Sequence, residues 1–383
     1  MHSSDPTLRL TCVLITTRDF SVKMVTLTKE EFGTFNNETV WKYTWRTLRG
    51  FSLSAISYGA IVQSIKVPDK KGITADVVLG FDDLHGYLTK NTPYLGAAVG
   101  RCANRIGGAS FRIDDVKYTL AKNVGQHHLH GGIVGFDKAN WKSVIEGSKV
   151  VFSYLSKDGE EGYPGDLLTN ITYEVKDDDS FHMQFLSTTT KKTVLNLTNH
   201  SYFNLAGHET GAEEIYNHTF VINADRITET TSESIPTGRF LTVGGTPYDL
   251  RSATRLGDVI NRAENLFDDN FCVSTYGNKN LNFVSRAVHP SSGRTLEVYS
   301  NQPGVQFYTS NSLPSPEEAA LIGKSGVGYR RHGAFCFETQ NFPDAVHHTN
   351  FPRAVLYPGE VYKHCVVYKF GSEKDHNPVV FSV

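Results

Sequence analysis

Apolar and polar residues alternate with a period of two along much of this chain. That period marks strands with one face toward a core and the other away from it. Ile171-Thr172-Tyr173-Glu174-Val175 and Phe181-His182-Met183-Gln184-Phe185 both alternate, and Asp177-Asp178-Asp179-Ser180 between them supplies a turn. A second hairpin is expected around Asp114-Asp115, with Phe111 and Ile113 before it and Tyr118 and Leu120 after it. A third runs from Phe283 to Val298 around His289-Pro290-Ser291-Ser292-Gly293, and the last strong strand spans residues 361–370. Helical periodicity is scarce, with short turns expected at 82–88, 254–260 and 316–322. No strand–helix–strand alternation appears, and no repeat of 20–50 residues. The pattern predicts an all-β fold, a large antiparallel β-sandwich with a few short helices. No long linker divides the chain, so one domain is expected over residues 24–371, with 1–23 an N-terminal extension and 372–383 a C-terminal tail.

Composition narrows the function classes. The 38 Lys and Arg against 40 Asp and Glu leave a formal charge of −2, which offers no long-range attraction for nucleic acid or an anionic membrane. No run of 18 apolar residues exists, and the stretch from Leu10 to Thr16 is too short for a good signal core. The cysteines at 12, 102, 272, 336 and 365 are odd in number and form no Cys-x-x-Cys pair, so reduced thiols are expected, four of them buried in strands. Asn-x-Ser/Thr sequons at Asn37, Asn170, Asn196, Asn199 and Asn217 read as chance, because two fall in a strand argued below to face a ligand. A cytoplasmic monomer is expected. Dinucleotide, Walker, Gly-x-Ser-x-Gly and His-Glu-x-x-His motifs are all missing, which points away from cofactor chemistry and weakens a serine hydrolase reading.

Three strands carry polar groups on an otherwise apolar background. In Leu195-Asn196-Leu197-Thr198-Asn199-His200 the leucines share one face, and Asn196, Thr198 and His200 the other. In Ala334-Phe335-Cys336-Phe337-Glu338-Thr339-Gln340 the phenylalanines oppose Glu338 and Gln340, and in Val305-Gln306-Phe307 the glutamine stands alone. An ordinary solvated face is one reading. Such a face more often carries Lys and Glu, whereas Asn, Gln, His and Thr suit an uncharged, hydroxyl-rich sugar. Alternation also puts His128 and His130 on one side, which leaves a metal pair, structural histidines or ligand contacts all open; a zinc site would want a third ligand.

Several segments together resemble the aldose 1-epimerase (galactose mutarotase) family. They are Gly100-Arg101-Cys102-Ala103-Asn104-Arg105-Ile106, Leu129-His130-Gly131-Gly132 with Gly135-Phe136-Asp137, and Asn199-His200-Ser201-Tyr202-Phe203-Asn204-Leu205. Phe267-Asp268-Asp269-Asn270-Phe271, Gln302-Pro303-Gly304-Val305-Gln306-Phe307-Tyr308 and Glu338-Thr339-Gln340-Asn341-Phe342-Pro343-Asp344-Ala345 follow in family order. The resemblance implies a galactose mutarotase-like sandwich with a cleft for an aldohexose, no cofactor and no metal. It implies Glu338 as catalytic base and His200 as catalytic acid. It also implies sugar-binding roles for Asn104, Arg105, His130, Asp268 and Gln306. His127 and Phe342 depart from the residues common in relatives, and Ser315 to Arg331 looks divergent, which bears on loop geometry and sugar preference.

Exchange of anomers requires a base at the C1 hydroxyl and an acid at the ring oxygen. Unperturbed values, about 4.3 for Glu and about 6.5 for His, would leave Glu338 ionised and His200 protonated, with Arg105 and Asp268 as charge partners, and predict a bell-shaped pH profile. Three rivals remain. A glycosidase would pair Glu338 with Asp268, a binding module would lack turnover, and a hexose-phosphate mutarotase would need cations such as Arg101 and Arg105.

Overall fold

Most of the period-two stretches become strands of three antiparallel sheets in the computed structural model, which describes residues 25–263, 266–273 and 281–373, whereas only Thr198–Asn199 of residues 195–200 forms a strand. The expected N-terminal extension, Cys12 and most of the expected tail lie outside the described residues. The first sheet is a five-stranded meander from Val25–Phe35 to Thr74–Asp76. The second holds nine strands and includes the expected pairs Leu167–Val175 with Ser180–Thr189 and Asn282–Val288 with Arg294–Ser300. Its fifth strand in space is Tyr362–Ser372, the last along the described chain, inserted between Ser180–Thr189 and Arg294–Ser300. The third sheet orders Pro236–Thr242, Ala224–Thr230, Asp268–Val273, Gly304–Tyr308 and Cys336–Gln340. The hairpin at Asp114-Asp115 forms as well, joining Ser110–Ile113 to Val116–Thr119.

One hydrophobic core is shared by all three sheets. Tyr43 and Trp45 from the first, Phe152, Tyr173 and Tyr368 from the second, and Phe271, Phe307 and Phe337 from the third are all buried within it. Edge-to-face contacts join the layers, as between Tyr43 and Phe152 with ring centroids 5.7 Å apart, and Phe220 packs on Phe307 at 4.9 Å. The apolar member of each alternating pair therefore anchors its strand, and the polar member is committed to the opposite face.

The short helices are partly as expected. Asp83 caps the helix Leu84–Lys90 by accepting from the Gly86 N–H at 2.9 Å. Residues 254–260 form a two-residue strand, Thr254–Arg255, and the 3₁₀ turn Leu256–Asp258. Residues 316–322 are not helical: Leu321–Ile322 pairs with Gly328–Tyr329, and the Arg330 guanidinium donates to the carbonyls of Ser315, Pro316 and Glu318. Those carbonyls point outward to the arginine instead of up a helix. A six-residue helix at Ala212–Asn217 follows Gly211, too short to show a period in sequence. Cys102, Cys272 and Cys336 are buried free thiols and Cys365 is half-buried; Cys102 lies in an isolated bridge to Asn196, not within a strand. No helix among the described residues is long and apolar enough to cross a membrane.

Candidate active site

Three neighbouring strands of the third sheet create the polar floor of a cleft. Register places Glu338 opposite Gln306, and Gln306 opposite Asn270. Asp268, two residues before Asn270, shares that face. Phe337, Phe307 and Phe271 project to the core on the other side. Gln306 Nε2 donates to Asp268 Oδ1 at 2.8 Å, and Arg105 Nη2 lies 3.8 Å from Asp268 Oδ2.

The opposite wall comes from shorter segments. Thr198–Asn199 pairs with Ala98–Val99, and the chain then fixes His200 by two backbone bonds. The His200 N–H donates to the Ala97 carbonyl, and the His200 carbonyl accepts from the Gly96 N–H, both at 2.9 Å. The imidazole stacks on Tyr202, with ring centroids 4.9 Å apart and planes 10° from parallel. Arg105–Ile106 pairs with His128–Leu129, and the residues flanking that ladder, Asn104 and His130, both adopt left-handed backbone at φ 62° and 51°. The two hold each other: the Asn104 N–H donates to His130 Nδ1 at 3.2 Å, and the His130 N–H donates to the Asn104 carbonyl at 3.1 Å. A neutral His130 accepting at Nδ1 carries its hydrogen on Nε2. His130, His200 and Glu338 bring three ligand-type atoms within 4.8 Å of one another. The Asn104 amide, however, occupies the His130 lone pair, so that ring offers a donor suited to a sugar oxygen rather than a lone pair suited to a cation.

All seven residues singled out from the sequence line one cleft of about 270 Å³. His200 Nε2 lies 3.6 Å from Glu338 Oε1, and both side chains are almost wholly buried. A larger groove of about 640 Å³ lies elsewhere, between Asn301–Pro303 and residues 352–363, and holds no imidazole. Size therefore does not single out the smaller cleft; its buried carboxyl–imidazole pair does.

The protonation order differs from the sequence expectation. Burial pushes the Glu338 carboxyl well above the usual carboxylate range, the Asp268 charge adds to this, and Arg105 opposes it without prevailing. Burial also depresses His200 to about 3, and holds His130 well below the usual imidazole range. Both members of the pair are thus pushed toward neutrality, the reverse of an ionised Glu338 facing a protonated His200. Desolvation outweighs the charge partners.

Two further placements correct the sequence reading. His128 does not share a side with His130, because the left-handed turn at His130 breaks the alternation. His128 binds the Ala121 carbonyl and the Tyr163 hydroxyl, both at 2.8 Å, inside the fold. Arg101 does not reach the cleft; it is buried and donates to Ser156 and to the carbonyls of Lys157 and Pro164. Tyr94, Tyr202 and Tyr308 also line the cleft, beyond the residues expected from the sequence. Tyr202 and Tyr308 stood inside the quoted motifs, so their position beside His200 and Gln306 was the available signal. Tyr94 follows the helix Leu84–Lys90 on a left-handed backbone, φ 64°, which no local pattern announces.

Known proteins resemble this chain over most of its length. Residues 42–369 match the family described as aldose 1-epimerase. The chain is similar to galactose mutarotase of Bos taurus, with 44% identity over 91% of this chain and 99% of that protein. It is 45% identical to galactose mutarotase of Homo sapiens over 82% of this chain and 90% of that one. Among solved structures, an aldose epimerase homologue from C. elegans superposes with a TM-score of 0.78 at 30% identity, covering 85% of this chain and 97% of that one.

Proposed function

This chain belongs to the aldose 1-epimerase family, and from that premise we propose that Glu338 and His200 exchange protons with a hexose in the cleft to interconvert its α- and β-anomers. The activity is that of an isomerase acting at the anomeric carbon. The names of its relatives point to galactose, and glucose differs from it only at C4. Glu338 takes the proton from the C1 hydroxyl while His200 supplies one to the ring oxygen. The C1–O5 bond opens, the C1–C2 bond rotates, and closure on the other carbonyl face returns both protons. Immediately after opening, Glu338 is a carboxylic acid and His200 a neutral imidazole. That is the protonation state favoured by the buried cleft, so the site suits the open-chain intermediate. The ion-paired and neutral forms of the pair hold the same number of protons, and 3.6 Å between Nε2 and Oε1 lets one sugar reach both.

That juxtaposition of one carboxyl and one imidazole in a single cleft carries the reading. Arg105 is the only Lys or Arg lining the cleft among the described residues, and Asp268 faces it, so an uncharged sugar fits better than a phosphorylated one. Asp268 is engaged through both oxygens by Gln306 and Arg105, which disfavours its use as the second carboxylate of a glycosidase. Polarimetry on freshly dissolved α-galactose and α-glucose tests the proposal. Wild type accelerates equilibration, and Glu338→Gln and His200→Asn each lose about 10²–10⁴-fold of that acceleration while staying folded. Full rate in both variants refutes the assigned roles, and hydrolysis of a chromogenic galactoside by the wild type would establish the glycosidase instead.

A further inference from the structure

A buried amide sits behind the cleft, hydrogen-bonded to Gln306 and Asn270. Gln340 follows Glu338 by two residues on the same face of the strand Cys336–Gln340, is fully buried, and does not line the cleft. A buried amide is costly unless its hydrogen bonds are made. Gln340 Nε2 donates to Gln306 Oε1 at 3.3 Å and approaches Asn270 Oδ1 at 3.5 Å. Register sets Gln340 opposite Gly304, and the missing side chain there gives the Asn270 amide room: a Cβ on Gly304 would meet Asn270 Oδ1 at 2.4 Å.

Charge fixes the direction of this chain of amides. An ionised Asp268 can only accept, so Gln306 must turn its Nε2 toward Asp268 Oδ1 at 2.8 Å. Its carbonyl then faces Gln340, which must present its own Nε2. Flipping any one amide would set two acceptors or two donors against each other. We infer that Gln340 is a positioning residue for sugar binding: it holds the Gln306 amide so that Asp268 stays clamped and the second Nε2 hydrogen of Gln306 faces a sugar hydroxyl. This rests on the proposed sugar-binding roles of Asp268 and Gln306.

Gln340→Met keeps length and volume and removes the donor. Loss of one buried hydrogen bond that acts alike on ground and transition states raises KM for galactose about fivefold to tenfold and leaves kcat within about twofold. Gln306→Met raises KM at least as far, and adding Gln340→Met to it raises KM no further, because the effect runs through Gln306. Gln340→Glu supplies a rescue, since a protonated carboxyl still donates to Gln306 Oε1. Its KM approaches that of the wild type as pH falls, whereas the KM of Gln340→Met shows no such recovery. A merely structural residue would lower Tm without this pattern. If Gln306→Met raises KM while Gln340→Met does not, or the two effects multiply, the inference is overturned alone. If Gln306→Met leaves KM unchanged, the sugar-binding role of Gln306 falls and the inference falls with it. Should Gln340→Met fail to fold, the pH dependence of KM in Gln340→Glu decides: a KM that does not fall toward the wild-type value with pH overturns the inference.

Discussion

Replacing Glu338 by glutamine should make the protein more stable as well as inactive, and the gain should grow with pH. The carboxyl is 2% exposed, and Oε2 accepts no hydrogen bond from the described protein. Burial, and then the Asp268 charge, raise its folded-state pKa well above the ordinary value. In the unfolded chain it ionises near about 4.3. Between those two values the folded protein holds one more proton than the unfolded one. Wild-type stability therefore falls as pH rises through that window, by up to about 1.4 kcal/mol per pH unit. Glutamine does not titrate and escapes the loss. A chain of 383 residues unfolds with an entropy of roughly 0.8 kcal/mol/K, at about 2.1 cal/mol/K per residue, so the gap in Tm should widen by about 2 °C per pH unit. His200, depressed to about 3, works in the opposite sense: it withdraws stability as pH falls below about 6.5, in both proteins alike, so it largely cancels from the difference. Scanning calorimetry of the two proteins from roughly pH 5 to pH 7 reads the gap directly. A gap that stays flat or narrows refutes the desolvated carboxyl and, with it, the neutral pair.

The same shifts set the pH dependence of turnover. The active pair carries one proton in total, so kcat/KM, which reports the free enzyme, should hold level from an acid limb near the His200 value of about 3 to an alkaline limb well above the ordinary carboxylate range. Activity already falling through about pH 6.5 would show an unperturbed pair instead. A second outcome separates scaffold from chemistry. Phe152→Ala, in the core between Tyr43 and Tyr173, should cost about 3–5 kcal/mol by chemical denaturation while leaving kcat/KM per folded molecule unchanged; a specific loss of activity would tie that distant packing to the cleft.

Much of this architecture was legible because an antiparallel strand with one face in a core must alternate. The hairpins at residues 167–189, 110–119 and 282–300 follow from period and turn residues alone. Glu338, Gln306 and His200 stood out for the same reason, as polar members of alternating runs whose partners are buried phenylalanines and leucines. Asn104 and Arg105 lie on a left-handed turn and a two-residue strand, where period carries no information, and only the family resemblance reached them; alternation pointed to His130 but left its role open. Tertiary contacts explain the misses. Arg330 captures the carbonyls that a helix at 316–322 would have used, and the turn at His130 separates it from His128. The protonation order was hidden most deeply, because burial belongs to the assembled cleft and not to either residue.

The position of Tyr362–Ser372 at the centre of the nine-stranded sheet has a consequence for biosynthesis. A nascent chain emerging from the ribosome completes Lys142–Thr189 and Thr219–Ser300 as two half-sheets, each with an open edge at Ser180–Thr189 or Arg294–Ser300. The first edge waits from residue 189, and the second from residue 300, until the strand that begins at Tyr362 slots between them. Bare edges of this kind invite pairing with other chains. Premature termination after Glu338 but before residue 362 would release a polypeptide that already contains every cleft residue yet lacks the keystone strand, and its expected fate is aggregation or degradation rather than partial activity.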